Sequence, residues 1–143
     1  MLIRLLAIAV LLGLATLAYR WWQGRQGKVR RVERPGALTP LTLGAARGPH
    51  ATFVQFSTPM CAKCPPTALL LQRVAAEQPH VAHIEIDAAE RLDLARELGI
   101  MRTPTTLILD SDGVVVARMD GAPSEAQARE ALAAVPPPTE YAI

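Results

Sequence analysis

The chain opens with an unbroken apolar block and then changes period. Residues 5–19, LLAIAVLLGLATLAY, carry no charge and are bracketed by Arg4 and Arg20. Counted from Leu2 to Trp22, with both arginines reaching outward, the run is roughly 21 residues, or about 31 Å of helix, which matches the hydrocarbon thickness of a bilayer. From residue 51 the apolar positions recur at shorter spacing. TFVQFS (52–57) reads as a buried strand, with Phe53, Val54 and Phe56 as β-formers. Residues 67–78 read as a helix stopped by Pro79, and VAHIEI (81–86) alternates as a strand. Asp87 with Glu90 suggests a capping box for a helix over 88–98, closed by Gly99. TTLILD (105–110) and VVVARM (114–119) flank Ser111-Asp112-Gly113, a hairpin signal, and Ser124 with Gln127 offers a capping box for a helix over 125–134.

The order from residue 51 onward is therefore β-α-β-α-β-β-α. Helical crossovers are expected to make the earlier strands parallel, and the hairpin makes the last one antiparallel. The fold class is α/β, a small mixed sheet flanked by helices and preceded by a transmembrane helix. Four segments follow: an anchor over 1–22, a basic tether over 23–50 with at most a short element near 38–46, a folded domain over 51–135, and a proline-rich tail over 136–143.

Charge refines the picture at the N-terminal end. Residues 1–36 hold seven of the 15 Lys and Arg residues and only one acid, Glu33, so the remainder is net negative. Nucleic-acid binding needs basic residues gathered on a folded face, which argues against that class of partner. The alternative to an anchor is a cleaved signal peptide, for which Thr16-Leu17-Ala18 is a tolerable site; Trp21 and Trp22 just downstream and the single Arg4 upstream favour a retained anchor. Arg20, Arg25, Lys28, Arg30, Arg31 and Arg34 follow the span while only Arg4 precedes it, so the positive-inside rule favours the folded domain on the cytoplasmic side, the outer side being the alternative.

Both cysteines lie in STPMCAKCPP, two residues apart. A bridge between Cys61 and Cys64 closes too small a loop to stabilise the fold much, so reactivity or metal binding is the better reason for the pair. They fall where the first strand of the core ends and its helix begins. A helix N-terminus favours thiolate, and Lys63 between the cysteines adds a cation with the same effect. This points to thiol–disulfide exchange, with Cys61 as the exposed nucleophile and Cys64 resolving the mixed disulfide. No cofactor is expected beyond the Cys61–Cys64 pair itself.

The segments FVQFSTPMCAKC, VAHIEID and LGIMRTPTTLILDSDGVVVARMDGA, in this order and spacing, resemble a thioredoxin-family domain over roughly residues 51–134. The resemblance implies partners that are protein disulfides, with a reductase or thiol donor to recharge the dithiol. It also implies that Thr103-Pro104 is an X–cis-Pro pair facing the dithiol, with its backbone pairing to a bound substrate strand, and that Gly121 admits a partner's backbone closely. Met60, where thioredoxins usually carry Trp, joins Thr103, Pro104 and Gly121 on the substrate side. Gln55 occupies the place of a buried Asp that often serves the second cysteine as a base; an amide cannot, so deprotonation of Cys64 is left to water or a substrate group. Pro65-Pro66 are expected to start the helix late and leave Cys61 farther from its dipole.

Two other classes remain open: a Cu(I)-binding module using the soft CxxC pair, and a redox-inert interaction domain. Cys61-x2-Cys64 with His80-x2-His83 imitates a zinc-finger spacing, but the intervening helix would hold the pairs roughly 18 Å apart, and zinc requires all four ligand atoms within about 2.0–2.3 Å of the ion.

Overall fold

The computed structural model describes residues 1–31 and 36–137. Residues 138–143, most of the proline-rich tail, lie outside the described residues, as do 32–35 within the basic segment. The first helix, α1 (Leu2–Gln23), has no buried residue and is long and apolar enough to cross a membrane, which suits a membrane span or a signal sequence. Within the apolar stretch, the Thr16 hydroxyl donates to the Leu12 carbonyl 2.7 Å away, so that hydroxyl is satisfied inside the helix.

Five strands form one sheet in the order β1-β5-β4-β2-β3. These are β1 (Val29–Arg31), β2 (Ala51–Ser57), β3 (Val81–Asp87), β4 (Thr105–Leu109) and β5 (Val115–Asp120). Among the described residues four further helices follow: α2 (Pro40–Leu43), α3 (Cys64–Ala76), α4 (Leu92–Glu97) and α5 (Glu125–Ala133). The two faces of the central strand β2 sort its side chains by parity. Val54 and Phe56 join Ile84, Ile86, Leu94 and Leu107 in one apolar cluster, whereas Ala51 and Phe53 join Leu71, Val74, Ile108 and Met119 in the other. The second cluster includes side chains of α3 and α5 and is the layer that seats the start of α3.

Three expectations are corrected. First, β4 runs antiparallel to β2, while β2 and β3 are parallel as expected. The six residues of α4 span about 9 Å, well under the roughly 23 Å of a seven-residue strand. The chain therefore stays at the end of the sheet where β3 finishes, with Asp87 opposite Ser57, and β4 starts there with Thr105 opposite Phe56. Second, α4 begins at Leu92 rather than at residue 88, because Asp87 Oδ1 accepts from Ala89 N at 2.7 Å in a local turn instead of capping a helix. Its other end is as expected, with Ile100 N on the Ala95 carbonyl and Gly99 N on the Arg96 carbonyl. Third, the basic segment over 23–50 is more than a tether. Val29–Arg31 pairs antiparallel with Met119–Ala117 as an edge strand, and Leu38 and Leu43 are buried. The short element near 38–46 is α2, capped by the Thr39 hydroxyl accepting from Thr42 N.

The hairpin between β4 and β5 is held by Asp110, whose Oδ1 accepts from Asp112 N and Val114 N. The capping box at α5 forms in full, Ser124 with Gln127. On β4, the Thr106 hydroxyl is buried with no hydrogen-bond partner among the described residues. An unpaired buried hydroxyl carries its desolvation cost without a return. Thr106→Val keeps the shape and the β-propensity, and it is expected to raise stability by about 1 kcal/mol, read as a higher urea midpoint with an unchanged slope.

Candidate active site at the strand-helix junction

The buried β2 delivers the chain to Ser57, and residues 58–63 turn it into α3. Cys61 and Cys64 are joined by a disulfide in that turn. Cys61 N donates to the Thr58 carbonyl and Cys64 N to the Cys61 carbonyl, each at 3.1 Å. Cys61 is half-buried, whereas Cys64, the first residue of α3, is 2% exposed. One sulfur is thus open to a partner and the other is set behind it.

Pro65 and Pro66 lie inside the first turn of α3, so the helix starts at Cys64 and the expected late start is corrected. The fixed φ of proline suits that turn, and its missing N–H costs nothing where no intrahelical acceptor exists. The prolines nonetheless remove donors close to Cys61. The first turn of a helix ordinarily offers free N–H groups to an anion. Here two are absent, Cys64 N is committed to the Cys61 carbonyl, and Thr67 N to the Lys63 carbonyl at 3.2 Å. What remains for a Cys61 thiolate is the helix dipole with fewer first-turn donors than usual.

Thr103-Pro104 is a cis peptide bond immediately before β4. The Thr103 hydroxyl bonds the Thr58 hydroxyl at 3.1 Å, tying the proline loop to the turn that bears Cys61. The Thr103 N–H and carbonyl have no backbone partner among the described residues. Gly121 follows β5 at φ +92, and Gly121 N donates to the Pro104 carbonyl at 2.8 Å. Met60 and Met101 stand almost fully exposed, at 94% and 88%. Thr103 is half-buried and Pro104 buried, so the structure brings Cys61, Thr103, Pro104 and Gly121 together at one end of the sheet.

A family model described as a thioredoxin-like domain matches residues 42–136. The chain belongs to the thioredoxin-like family. A thioredoxin of Methanocaldococcus jannaschii is 39% identical over 54 residues, a stretch covering 37% of this chain and 64% of that relative, so the matched part falls short of the relative's full length. Among solved structures, chloroplastic thioredoxin z is 31% identical with a TM-score of 0.53, over 59% of this chain and 77% of that one. Spinach chloroplast thioredoxin f is 29% identical with a TM-score of 0.55, over 66% and 78%. Mitochondrial thioredoxin 3 of Saccharomyces cerevisiae, 20% identical with a TM-score of 0.53 over 59% and 77%, shares the fold.

Within this thioredoxin-like domain, Gln55 lies fully buried beneath the start of α3 and makes three hydrogen bonds. Its Nε2 donates to the Cys64 carbonyl at 3.0 Å and to Ser57 Oγ at 3.1 Å. Its Oε1 lies 3.1 Å from His83 Nε2, which places the proton on that nitrogen. Ser57 Oγ in turn donates to Glu85 Oε1 at 2.7 Å. The chain of contacts satisfies both ends of the Gln55 amide and ends on an exposed carboxylate. Gln55 therefore fixes the carbonyl of Cys64 and cannot take a proton from it. Lys63, expected beside the thiolate, extends the other way: its Nζ donates to Gln26 Oε1 at 3.1 Å and sits 5.9 Å from the centre of the Trp22 ring.

His83, Ser57 and Glu85 were legible only in part. His83 falls within the alternating VAHIEI strand pattern, but its partner is set by the parallel register of Phe53 with His83 and Gln55 with Glu85. Burial lowers the His83 pKa below the usual histidine value of 6.5, partly offset by the nearby Glu85 carboxylate, which raises it. The folded state therefore prefers neutral His83, and stability present above pH 6.5 declines as the pH falls below it, where the unfolded chain binds the proton more readily. The melting temperature of the oxidised protein is expected to drop between about pH 7.5 and pH 5, and less so in His83→Gln. An equal drop in the variant would show that another group sets the acid limb.

Proposed function

We propose that the chain is a membrane-anchored thiol–disulfide oxidoreductase that exchanges disulfides with protein partners through Cys61 and Cys64. The observation that carries this reading is the asymmetric burial of the bonded pair: Cys61 half-exposed, Cys64 2% exposed, beside a proline loop whose Thr103 backbone is unpaired. In the reducing direction, the Cys61 thiolate attacks one sulfur of a partner disulfide, the partner's S–S bond breaks, and its leaving thiolate takes a proton from water. Cys64, as thiolate, then attacks Sγ of Cys61. The mixed disulfide breaks, the second partner thiol leaves, and the Cys61–Cys64 bond holds the two electrons' worth of oxidation. A thiol donor or reductase restores the dithiol.

Because Gln55 is no base, the proton of Cys64 has to leave to water or to the departing partner thiolate. The unpaired Thr103 N–H and carbonyl suit backbone pairing with an extended partner segment, and Met60 and Met101 supply adaptable apolar contact beside it. The six basic residues after the span support a cytoplasmic domain acting as a reductant. Capture tests both parts: Cys64→Ser, expressed at native level, is expected to retain a protein partner through a reducible bond to Cys61. A reporter at the C-terminus that is active only outside the cytoplasm is expected to stay silent. Recovery of no partner from native membranes would oppose the exchange reading, and an active reporter would reverse the side.

A further inference from the structure

The link between α1 and the sheet is built rather than slack. Beyond Gln23 the chain continues in tight turns, with Gly24 N on the Arg20 carbonyl, Arg25 N on the Trp22 carbonyl and Gln26 N on the Gln23 carbonyl. Gly27 N then donates to the Asp120 carbonyl at 2.8 Å, joining the turn to the end of β5. Gly27 is seated so closely that a Cβ there would lie 2.6 Å from Pro123 Cα and 2.9 Å from the Ala122 carbonyl, at φ +73. Hydrogen bonds thus run without a break from the apolar helix to the sheet.

The same turn touches the residue between the two cysteines. Lys63, between the two cysteines, reaches Gln26 Oε1 and lies over the Trp22 ring at the end of α1. The open side of Gly121, where a partner's backbone was expected, is faced instead by Gln26, whose Cβ lies 3.2 Å from the position of an added Cβ, with Gly27 N at 3.6 Å. On the flank of the turn, Arg25 stacks 3.7 Å over the Trp21 ring, and Arg25, Lys28, Arg30 and Arg102 outnumber the single acid, Asp120, around an open cleft of about 590 Å³. Aromatic rings at the end of a span settle at headgroup level, and a basic flank is drawn to anionic headgroups.

From these contacts we infer that the juxtamembrane turn Gly24–Gly27 is a fixed wall of the dithiol groove, which holds Cys61 at the headgroup layer and selects disulfides lying within the first few residues of a partner's own membrane span. This rests on the membrane-anchored oxidoreductase reading and narrows its substrates. A disulfide far from the bilayer would have to fold back to meet Cys61, whereas one beside a span already lies in its plane. The reaction is the same exchange, two electrons passing from the dithiol to the partner disulfide.

The test uses the full-length reduced protein in anionic vesicles. The probes are two peptides, each a disulfide hairpin on a transmembrane helix, with a spacer of about 2 or about 30 residues, the longer reaching roughly 30 Å. Both are anchored, so co-localisation is equal. The expected result is about tenfold faster reduction with the short spacer, a preference that collapses in Gly27→Val and in the milder Gln26→Ala, with folding checked by thermal melting. Equal rates for the two probes in protein that floats with the vesicles would overturn the inference and leave the oxidoreductase reading standing. A preference undiminished in folded Gln26→Ala would overturn the role of the turn. Protein that does not float with the vesicles would overturn the anchor and this inference together.

Discussion

Cys61→Ser is expected to reduce catalysed disulfide reduction to the uncatalysed background, while Cys64→Ser leaves the first attack intact and stops the cycle after one event. The asymmetry follows from burial. Cys61 is the sulfur a partner can reach, and Cys64 at 2% exposure is reached only from Cys61 itself. A serine hydroxyl at position 61 is not a thiolate at neutral pH and cannot form a mixed disulfide. Cys64→Ser should therefore consume at most one equivalent of disulfide and accumulate a partner bound at Cys61. The attack should also speed up with pH, because Pro65 and Pro66 take two N–H donors from the helix turn that would otherwise stabilise the thiolate. Stopped-flow reduction of a fluorescent disulfide peptide separates the cases. Multiple turnover by Cys61→Ser would show that Cys64 can be reached directly and would reverse the roles.

Phe53→Ala carries the largest expected loss of stability. Phe53 is fully buried on β2 and packs in the cluster of Leu71, Val74, Ile108 and Met119 that lies under α3. Replacing a buried phenylalanine by alanine removes its transfer free energy and leaves a cavity, together about 3–5 kcal/mol. Against a total of about 5–15 kcal/mol for a domain, that is about a fifth or more of what holds the fold. A fall in Tm of more than about 10 °C is the expected reading. Because α3 begins with Cys64, the loss should also loosen the dithiol, so activity should decline below the melting transition. A variant within about 1 kcal/mol of wild type would mean that the sheet relaxes into the space or that the ring is not a core element.

How much of this was written in the local sequence depends on the range of each interaction. The buried β2, the strands β3 and β5, the hairpin and the capped α5 each have a local cause: β-formers in a bounded run, an Asp-Gly turn, a Ser-x-x-Gln box. The strand β1 has none. Val29-Arg30-Arg31 reads as charged linker, and it becomes a strand only because Ala117–Met119, nearly ninety residues later, offers a free edge. The direction of β4 departs from expectation because α4 is short: Asp87, a helix cap by sequence pattern, instead turns back on Ala89. The site divides in the same way. The dithiol shows in the CxxC motif, and Pro104 and Gly121 follow from the family resemblance. The contacts of Gln55 with His83, and of Ser57 with Glu85, exist only once β2 and β3 are paired in register. Lys63 lies between the cysteines in the sequence, but the direction of its side chain toward Gln26 depends on where α1 delivers the chain.

The most direct test of the central claim is a single-turnover balance. Reduced full-length protein is mixed with one equivalent of a protein disulfide, quenched with an alkylating agent, and each chain is weighed by mass spectrometry. Thiol–disulfide exchange requires that every substrate disulfide lost appears as one Cys61–Cys64 disulfide, with no third product once the reaction is complete. A substrate that stays oxidised while both cysteines remain alkylatable thiols would contradict it and leave the chain a thioredoxin-like domain without exchange chemistry.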